Sequence, residues 1–283
     1  MAGSWRQHTW RWQSNQGIYW LEDSFLMDSG MVQQGFSGRL GGVSLPPYDS
    51  LNLSYSSGDE IGAIQENRRR LALACDFSLE SWSGLRQVHG TRIELITKAQ
   101  AGLGVLDPEP ALLKADGQIT AEPGITLVTQ HADCIPLYFA DPVNGAIGLA
   151  HGGWQGTLRN IAGAMVKAMA DRLGSKPADL LVSIGPGAGP CHYEVDKPVL
   201  DQAELCFAKV PRALDKILRP SPLAGRAYLN LWQANAILLE ESGILPQHIS
   251  IAGICTICEN QRLFSHRRGD RGRQVAFIDL RQK

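Results

Sequence analysis

The chain has no excess of charge of either sign and no long hydrophobic run. Lysine plus arginine number 27 against 28 aspartate plus glutamate, so the net charge is -1. No global positive field exists to capture nucleic acid or an anionic membrane, and no segment approaches the roughly 20 apolar residues that cross a bilayer. We therefore expect neither nucleic acid nor a membrane as a partner, and any bound anion must be held locally.

Cysteine is also scarce, and the first thirty residues carry no export signal. Six cysteines in 283 residues are too few for a disulfide scaffold. The N-terminal residues lack a basic leader followed by an uninterrupted apolar stretch. The sequence thus predicts a cytoplasmic protein whose cysteines are thiols or metal ligands, and it leaves the oligomeric state open.

The pattern of apolar residues predicts an α+β fold in one domain spanning residues 1–283, because neither repeats nor linkers divide the chain. Apolar, β-branched segments predict strands at 125–130, 135–140, 146–151, 180–185, 249–254 and 274–280. Helical spacing predicts helices over 59–74, 156–173 and 229–242. The strands do not alternate regularly with helices, which favours mixed sheets. The proline-rich segment 211–228 is interpreted as a surface loop.

Three short segments contain residues that bind soft metals: RQVHG at 86–90, HADCIPLYFAD at 131–141 and LAHGGWQG at 149–156. Cys134 precedes one predicted strand and His151 ends the next, so a hairpin would bring both to one edge. Zinc in catalytic sites is commonly held by three protein ligands, with one position left open. His89, Cys134 and His151 supply that number, although single histidines and cysteines are more often packed in a core.

Five stretches extend this pattern over nearly the whole chain. They are FSGRLGGVSLPPYDSLNL, RQVHG, KADGQIT with HADCIPL, LAHGGWQGT, and SIGPGAGPCHYEV with CTICENQRLFSHRRGDRGRQVAFI, in order from about residue 36 to 280. In sequence and order they resemble the YfiH-like family, known also as the polyphenol oxidase or laccase-domain family and as purine nucleoside phosphorylases. The resemblance implies a layered α/β/β/α sandwich and the same metal ligands, His89, Cys134 and His151.

The resemblance also implies purine nucleoside chemistry with zinc as cofactor. The expected reactions are phosphorolysis of adenosine, inosine and S-methyl-5'-thioadenosine, and deamination of adenosine, with nucleosides and phosphate as small-molecule partners. Three departures put substrate contacts and rate in doubt. Gly152 and Gln155 stand where the family usually has Ala and Arg, and His131 stands where Thr is common.

Catalytic and substrate-binding candidates lie around these motifs. We expect Cys134, Cys255 and Asp133 to be catalytic; for Asp133 and Asp116 an acid or base role competes with a helix-cap or turn role. Substrate binding is expected from basic and amide side chains and from backbone amides at the start of the helix after Trp154. Those side chains are Arg39, Gln87, Arg267 and Arg268.

Cys255 and Cys258 form a C-x-x-C pair that could be half of a structural zinc site or a redox pair. A second pair with matching spacing is absent from the sequence, as is a thioredoxin-like pattern. We therefore expect Cys255 near the active site and Cys258 in a structural role. For Cys191 and His192 we favour a packed or hydrogen-bonded role over approach to the metal.

Other function classes stay open. Copper is a possible cofactor because imidazole and thiolate bind it more tightly than zinc, which would suit a laccase-like polyphenol oxidase. Multi-copper chemistry needs many histidines, however, and the chain has seven. Hydrolytic editing of peptidoglycan precursors and a non-catalytic, metal-stabilised binding protein are the remaining alternatives.

Overall fold

Two large β-sheets face each other in the computed structural model, which describes residues 5–108 and 113–281, and helices cover their outer faces. The strands are β1 Arg6–Gln7, β2 Trp10–Asn15, β3 Ile18–Asp23, β4 Val32–Ser37, β5 Trp82–Ser83, β6 Ile93–Leu95, β7 Gly117–Thr120, β8 Thr126–His131, β9 Ile135–Asp141, β10 Ala146–Gly152, β11 Leu181–Ile184, β12 Glu194–Val195, β13 Leu218–Pro220, β14 Ala227–Leu229, β15 Ile249–Ile251 and β16 Gln274–Leu280. The predicted layered α/β/β/α architecture with mixed sheets is confirmed.

Seven helices are seen in the described part of the chain. They are α1 Ser24–Met27, α2 Ile61–Cys75, α3 Trp154–Leu158, α4 Ile161–Leu173, α5 Lys197–Phe207, α6 Ala213–Ile217 and α7 Leu231–Glu241. Within residues 5–108 and 113–281, none combines the length and apolar character that a bilayer-spanning helix requires.

Both large sheets mix parallel and antiparallel pairs. The seven-stranded sheet has the order β1-β15-β11-β9-β10-β7-β6, and the six-stranded sheet has the order β2-β3-β4-β16-β8-β5. A third, smaller sheet is antiparallel and has the strand order β12-β14-β13. Strands β8 and β9 are consecutive but belong to different sheets, so residues 132–134 cross from one sheet to the other.

Side-chain alternation along β9 explains why this strand is buried on both faces. Ile135, Leu137 and Phe139 pack into the cluster that includes helix α4, whereas Tyr138 and Ala140 pack between the sheets. All five are fully buried. Because successive strand residues point to opposite faces, a continuous apolar run is what a sheet covered on both sides requires.

Two sequence predictions need correction. The single helix over 156–173 is divided into α3 and α4 by Asn160, whose φ of 64° is left-handed and whose side chain accepts a hydrogen bond from the Gly163 amide. The interpretation of 211–228 as a loop was wrong, since it contains α6, β13 and the start of β14. Ala213 and Ile217 are buried there, and Pro220 is tolerated because β13 is an edge strand.

Candidate metal centre and its pocket

The hairpin of β9 and β10 sets the position of two of the predicted ligands. Its register pairs His151 with Pro136 and Gly152 with Ile135, so Cys134, one residue before β9, lies beside the end of β10. This confirms the hairpin predicted from the sequence. His89 arrives from the turn before β6, and one ligand atom from each of His89, Cys134 and His151 lies within 4.8 Å of the others.

Asp116 organises the centre from behind. Its carboxylate accepts hydrogen bonds from the amides of Val88, His89 and Gly90 at 3.1, 2.9 and 2.7 Å, and from His151 Nδ1 at 3.0 Å. These bonds hold the left-handed turn at His89, where φ is 59°. They also leave Nε2 of His151 free to face the other two ligands, an arrangement common behind metal-binding histidines. The turn role weighed for Asp116 is thus observed.

Electrostatics in the centre favour a thiolate. Burial alone would raise the pKa of Cys134, but the nearby His151 and His89 lower it to about 6. Burial likewise would lower the pKa of His151, but Cys134 and Asp116 raise it to about 9. A thiolate beside an imidazolium has the charge distribution that a bound cation would replace, since metal ligands must be deprotonated.

Gly153 leaves room for the close approach of the three ligands. A Cβ atom at this position would lie 3.0 Å from Cys134 Sγ and 3.4 Å from His89 Cδ2. At Gly152 a Cβ would instead meet the carbonyl oxygen of Ile135 at 3.0 Å, and at Gly90 it would make an ordinary 3.6 Å contact with Asp116. Of the three glycines that flank the histidines, Gly153 is therefore the one that faces the ligand side chains.

His131 supports the centre and is not arranged as a fourth ligand. Its Nε2 contacts the hydroxyl of Thr129 at 2.8 Å and its Nδ1 contacts the carbonyl oxygen of Cys134 at 3.0 Å. Burial, followed by the charge of His151, lowers its pKa well below the usual value. This histidine therefore fixes the turn that presents Cys134 while both of its nitrogens are occupied.

A pocket of about 520 Å³ opens on the ligands His89 and Cys134. This volume lies within the range of about 300–1,000 Å³ that small-molecule sites occupy. Its wall combines aromatic, basic and acidic groups with the amide of Gln155; they include Trp154, Tyr193, Arg226, Arg267, Glu194, Asp196 and His266. The pocket can therefore accept a molecule with both a flat apolar part and an anionic part.

Arg267 is held over this pocket by three interactions. Its guanidinium lies 4.6 Å from the centre of the Tyr193 ring, and its Nη1 donates to the Glu194 carbonyl oxygen at 2.9 Å. Its backbone amide donates to Asp133 at 2.7 Å, while Thr256 Oγ1 donates to the other oxygen of that carboxylate at 2.6 Å. Both oxygens of Asp133 are thus engaged, and because Asp133 directly precedes Cys134, it links the Arg267 loop to the metal ligand.

Among the predicted substrate-binding residues, all of them within the described ranges, Arg267 is the one that lines the pocket. Arg39 forms ion pairs with Asp49 and Asp270. The Gln87 amide is paired with the backbone of Gln130 in β8. Arg268 donates to the carbonyl oxygen of Ile257 at 3.2 Å.

The structure also locates the predicted helix after Trp154 and the predicted catalytic residue Cys255. The helix after Gly153 begins at Trp154 and has five residues. Cys255 lies in a second group of possible metal ligands, with Cys191, His192 and Cys258. Sequence reasoning missed the pocket residues Tyr193, Glu194 and Arg226. Tyr193 and Glu194 lie in the SIGPGAGPCHYEV stretch but were given no site role, and Arg226, just before β14, lies outside the marked stretches.

Comparisons with known proteins show the family to which the chain belongs. The model of a family described as multi-copper polyphenol oxidoreductase laccase matches residues 33–281. Purine nucleoside phosphorylase YlmD from Geobacillus stearothermophilus is 40% identical over 251 residues, which cover 88% of this chain and 90% of that protein. Purine nucleoside phosphorylase LACC1 from Mus musculus is 37% identical over 93% of this chain and 57% of that protein.

Solved structures give the same relationship. The crystal structure of the Bacillus licheniformis hypothetical protein YfiH has a TM-score of 0.87 and 34% identity, covering 97% of this chain and all (100%) of that one. The crystal structure of YlmD from Geobacillus stearothermophilus has a TM-score of 0.85 and 38% identity, covering 97% of this chain and 99% of that one. The fold and the names of these relatives support a nucleoside-processing enzyme.

Proposed function

The chain belongs to the multi-copper polyphenol oxidoreductase laccase family, which includes the YfiH and YlmD proteins, and from that premise we propose that it is a zinc-dependent purine nucleoside phosphorylase that also deaminates adenosine. One observation carries the proposal. His89, Cys134 and His151 bring their ligand atoms within 4.8 Å of one another at a pocket that also contains Arg267.

The donor set fits zinc. Two imidazoles and one thiolate are among the ligands that zinc prefers, and three protein ligands leave a position for a reactant. Zinc held there would supply a Lewis acid beside the substrate. Asp116 fixes the orientation of His151, and Gly153 leaves room for the three side chains to meet.

For phosphorolysis, the bond between ribose C1′ and purine N9 breaks and C1′ bonds to a phosphate oxygen, giving a free purine and ribose 1-phosphate. We assign phosphate binding to Arg267, which uses one N–H on the Glu194 carbonyl oxygen and keeps further donors for an anion. Trp154 and Tyr193 offer flat faces for the nucleoside. Asp133 acts by positioning the Arg267 loop, and Cys134 acts as a metal ligand.

Deamination exchanges the amino group on C6 of adenine for an oxygen from water and releases ammonia. It needs no phosphate, so it requires only that the base reach the same centre. The two reactions therefore share the metal ligands and differ in their dependence on Arg267.

The test is to incubate zinc-loaded protein with adenosine, inosine or S-methyl-5'-thioadenosine, with and without phosphate. Chromatography should detect purine base and ribose 1-phosphate (5-methylthioribose 1-phosphate from the methylthio substrate) only with phosphate, and inosine from adenosine in either case. Cys134→Ala serves as the inactive control. Absence of any purine product from protein whose His89–Cys134–His151 centre is loaded with zinc would contradict the proposal.

Phenol oxidation is the second candidate, because the description of the matched family names that activity. Loading the same protein with copper and following oxygen consumption with a phenol tests it directly. Oxidation with copper and no nucleoside turnover with zinc would favour this alternative. A cytoplasmic location and a single domain over residues 1–283 stay predictions.

A further inference from the structure

A second group of cysteine and histidine side chains lies outside the residues that line the pocket. Cys191 and His192 belong to the segment between β11 and β12, and Cys255 and Cys258 belong to the turn after β15. One ligand atom from each of the four lies within 4.8 Å of all the others. Cys255 is buried, whereas the other three are exposed, so an ion from solvent can reach the group.

Two of the separations between these atoms match the edges of a metal tetrahedron, and the other ligand atoms lie within 4.8 Å. Cys191 Sγ lies 3.6 Å from Cys258 Sγ, which in turn lies 3.4 Å from His192 Nδ1. Around tetrahedral zinc, bonds of about 2.3 Å to sulfur and about 2.0 Å to nitrogen place two sulfurs about 3.8 Å apart, and sulfur and nitrogen about 3.5 Å apart. Both separations lie within a few tenths of an ångström of these values.

The backbone holds the two segments together without a metal. Gly187 pairs with Cys255 in a parallel bridge, and Thr256 donates its amide to the Gly187 carbonyl oxygen at 3.0 Å. The Gly189 amide donates to Cys255 Sγ at 3.3 Å. A Cβ at Gly189 would lie 2.8 Å from the Trp232 ring, so glycine permits this approach. The sulfur atoms are therefore presented by a scaffold that is already formed.

We propose that Cys191, His192, Cys255 and Cys258 form a second zinc site, separate from the centre at Cys134, with a structural role. Four protein ligands fill the tetrahedron and leave no position for a reactant, which is the usual composition of structural zinc sites. The site joins two segments that lead into the pocket wall. Tyr193 directly follows His192, and Thr256 lies between Cys255 and Cys258 and bonds to Asp133.

The experiment is to express the protein with added zinc, purify it with a reductant, and measure zinc per chain by elemental analysis. We expect two zinc ions in the unaltered protein, one in Cys134→Ala, one in Cys258→Ser and none in the double variant. Cys206→Ser is the matched control, because this half-buried cysteine lies in α5 outside both groups, and it should retain two. Equal zinc content in Cys258→Ser and unaltered protein would overturn the proposal.

A second measurement tests the same site if Cys258→Ser fails to fold. X-ray absorption at the zinc edge of Cys134→Ala protein should give a shell of three sulfurs and one nitrogen. A shell of oxygen and nitrogen, or no residual zinc, would overturn the site. A disulfide between Cys191 and Cys258 in reductant-purified protein, detected as a mass lower by two hydrogens, would do the same. None of these results depends on nucleoside turnover.

Discussion

The two groups of cysteine and histidine use the same donor atoms in different surroundings. At the first, the open centre formed by His89, Cys134 and His151, two of the three ligands line a pocket of about 520 Å³, and a buried carboxylate, Asp116, fixes the third. At the second, four ligands come from two loops that the backbone already joins. If the first group is a reactive centre and the second a structural one, as we propose, the number of ligands and their supporting bonds separate the two more than residue type does.

Removing one thiol from each group gives the largest expected contrast. Cys134→Ala leaves two protein ligands at the open centre, so turnover should fall below detection while the fold persists. Cys258→Ser should lower the melting temperature and retain measurable turnover. Steady-state assays and thermal unfolding check this. Loss of turnover to the same extent in both variants would erase the distinction between the two groups.

The carboxylate behind His151 is specific to the open centre and gives the next effect. Asp116→Asn should weaken zinc binding or activity by about 10- to 100-fold, as is typical when the partner of a metal-binding histidine is altered. Asp141→Asn is the matched control, since this buried aspartate holds the opposite end of the same hairpin through the Val143 and Asn144 amides. Zinc titration against a competing chelator distinguishes them, and equal affinities would contradict the role of Asp116.

Crowding at Gly153 tests how tightly the open centre is packed. Gly153→Ala places a Cβ 3.0 Å from Cys134 Sγ. Overpacking costs about 1–3 kcal/mol, so zinc affinity should fall by about 5- to 160-fold. Gly90→Ala, with its nearest contact at 3.6 Å, should change affinity far less. The same chelator competition measures both, and a reversed order would show that the ligands are less closely packed than described.

Substitution of Arg267 tests the anion-binding side of the pocket. The second group has no such anion-binding residue assigned to it. Arg267→Ala should raise the KM for phosphate by about tenfold, because a hydrogen bond to a charged group contributes about 1.5–3 kcal/mol and solvent reduces this. Arg219→Ala is a close control, since Arg219 also lies over a tyrosine, 5.2 Å from the Tyr228 ring, and bonds to a carbonyl oxygen. Unaltered phosphate KM in Arg267→Ala would assign the anion to another group.

The smallest effect concerns Gln155, at the position where the family resemblance led us to expect arginine. It lies in the pocket wall, so Gln155→Arg should lower the KM for phosphate by about two- to fivefold, the gain expected from one partly exposed charge. Zinc content should stay unchanged. A higher KM would mean that an arginine here blocks the nucleoside or repels Arg267.

The sequence predicted the open centre because its ligands lie at strand ends that short motifs mark. It could not predict the second group, since Cys191 and His192 are adjacent to each other and far along the chain from Cys255, and a spacing rule detects only local pairs. A turn role for Asp116 was considered from the sequence, but its hydrogen bond to His151 was not, because that bond arises where the turn at 88–90 meets the start of β7.

Elements set by periodicity were predicted better than elements set by packing. Strand β16 occupies the predicted residues 274–280, because both of its faces are apolar. The break at Asn160 and the helix α6 within the proline-rich segment depend on tertiary contacts that no local pattern records.

The most direct measurement is a crystal structure of zinc-loaded protein with anomalous data collected at the zinc edge. We expect a strong peak coordinated by His89, Cys134 and His151, with its remaining position open toward Arg267 and the pocket. A structure of fully loaded protein in which zinc binds without Cys134, or in which these three side chains hold no ion, would contradict it.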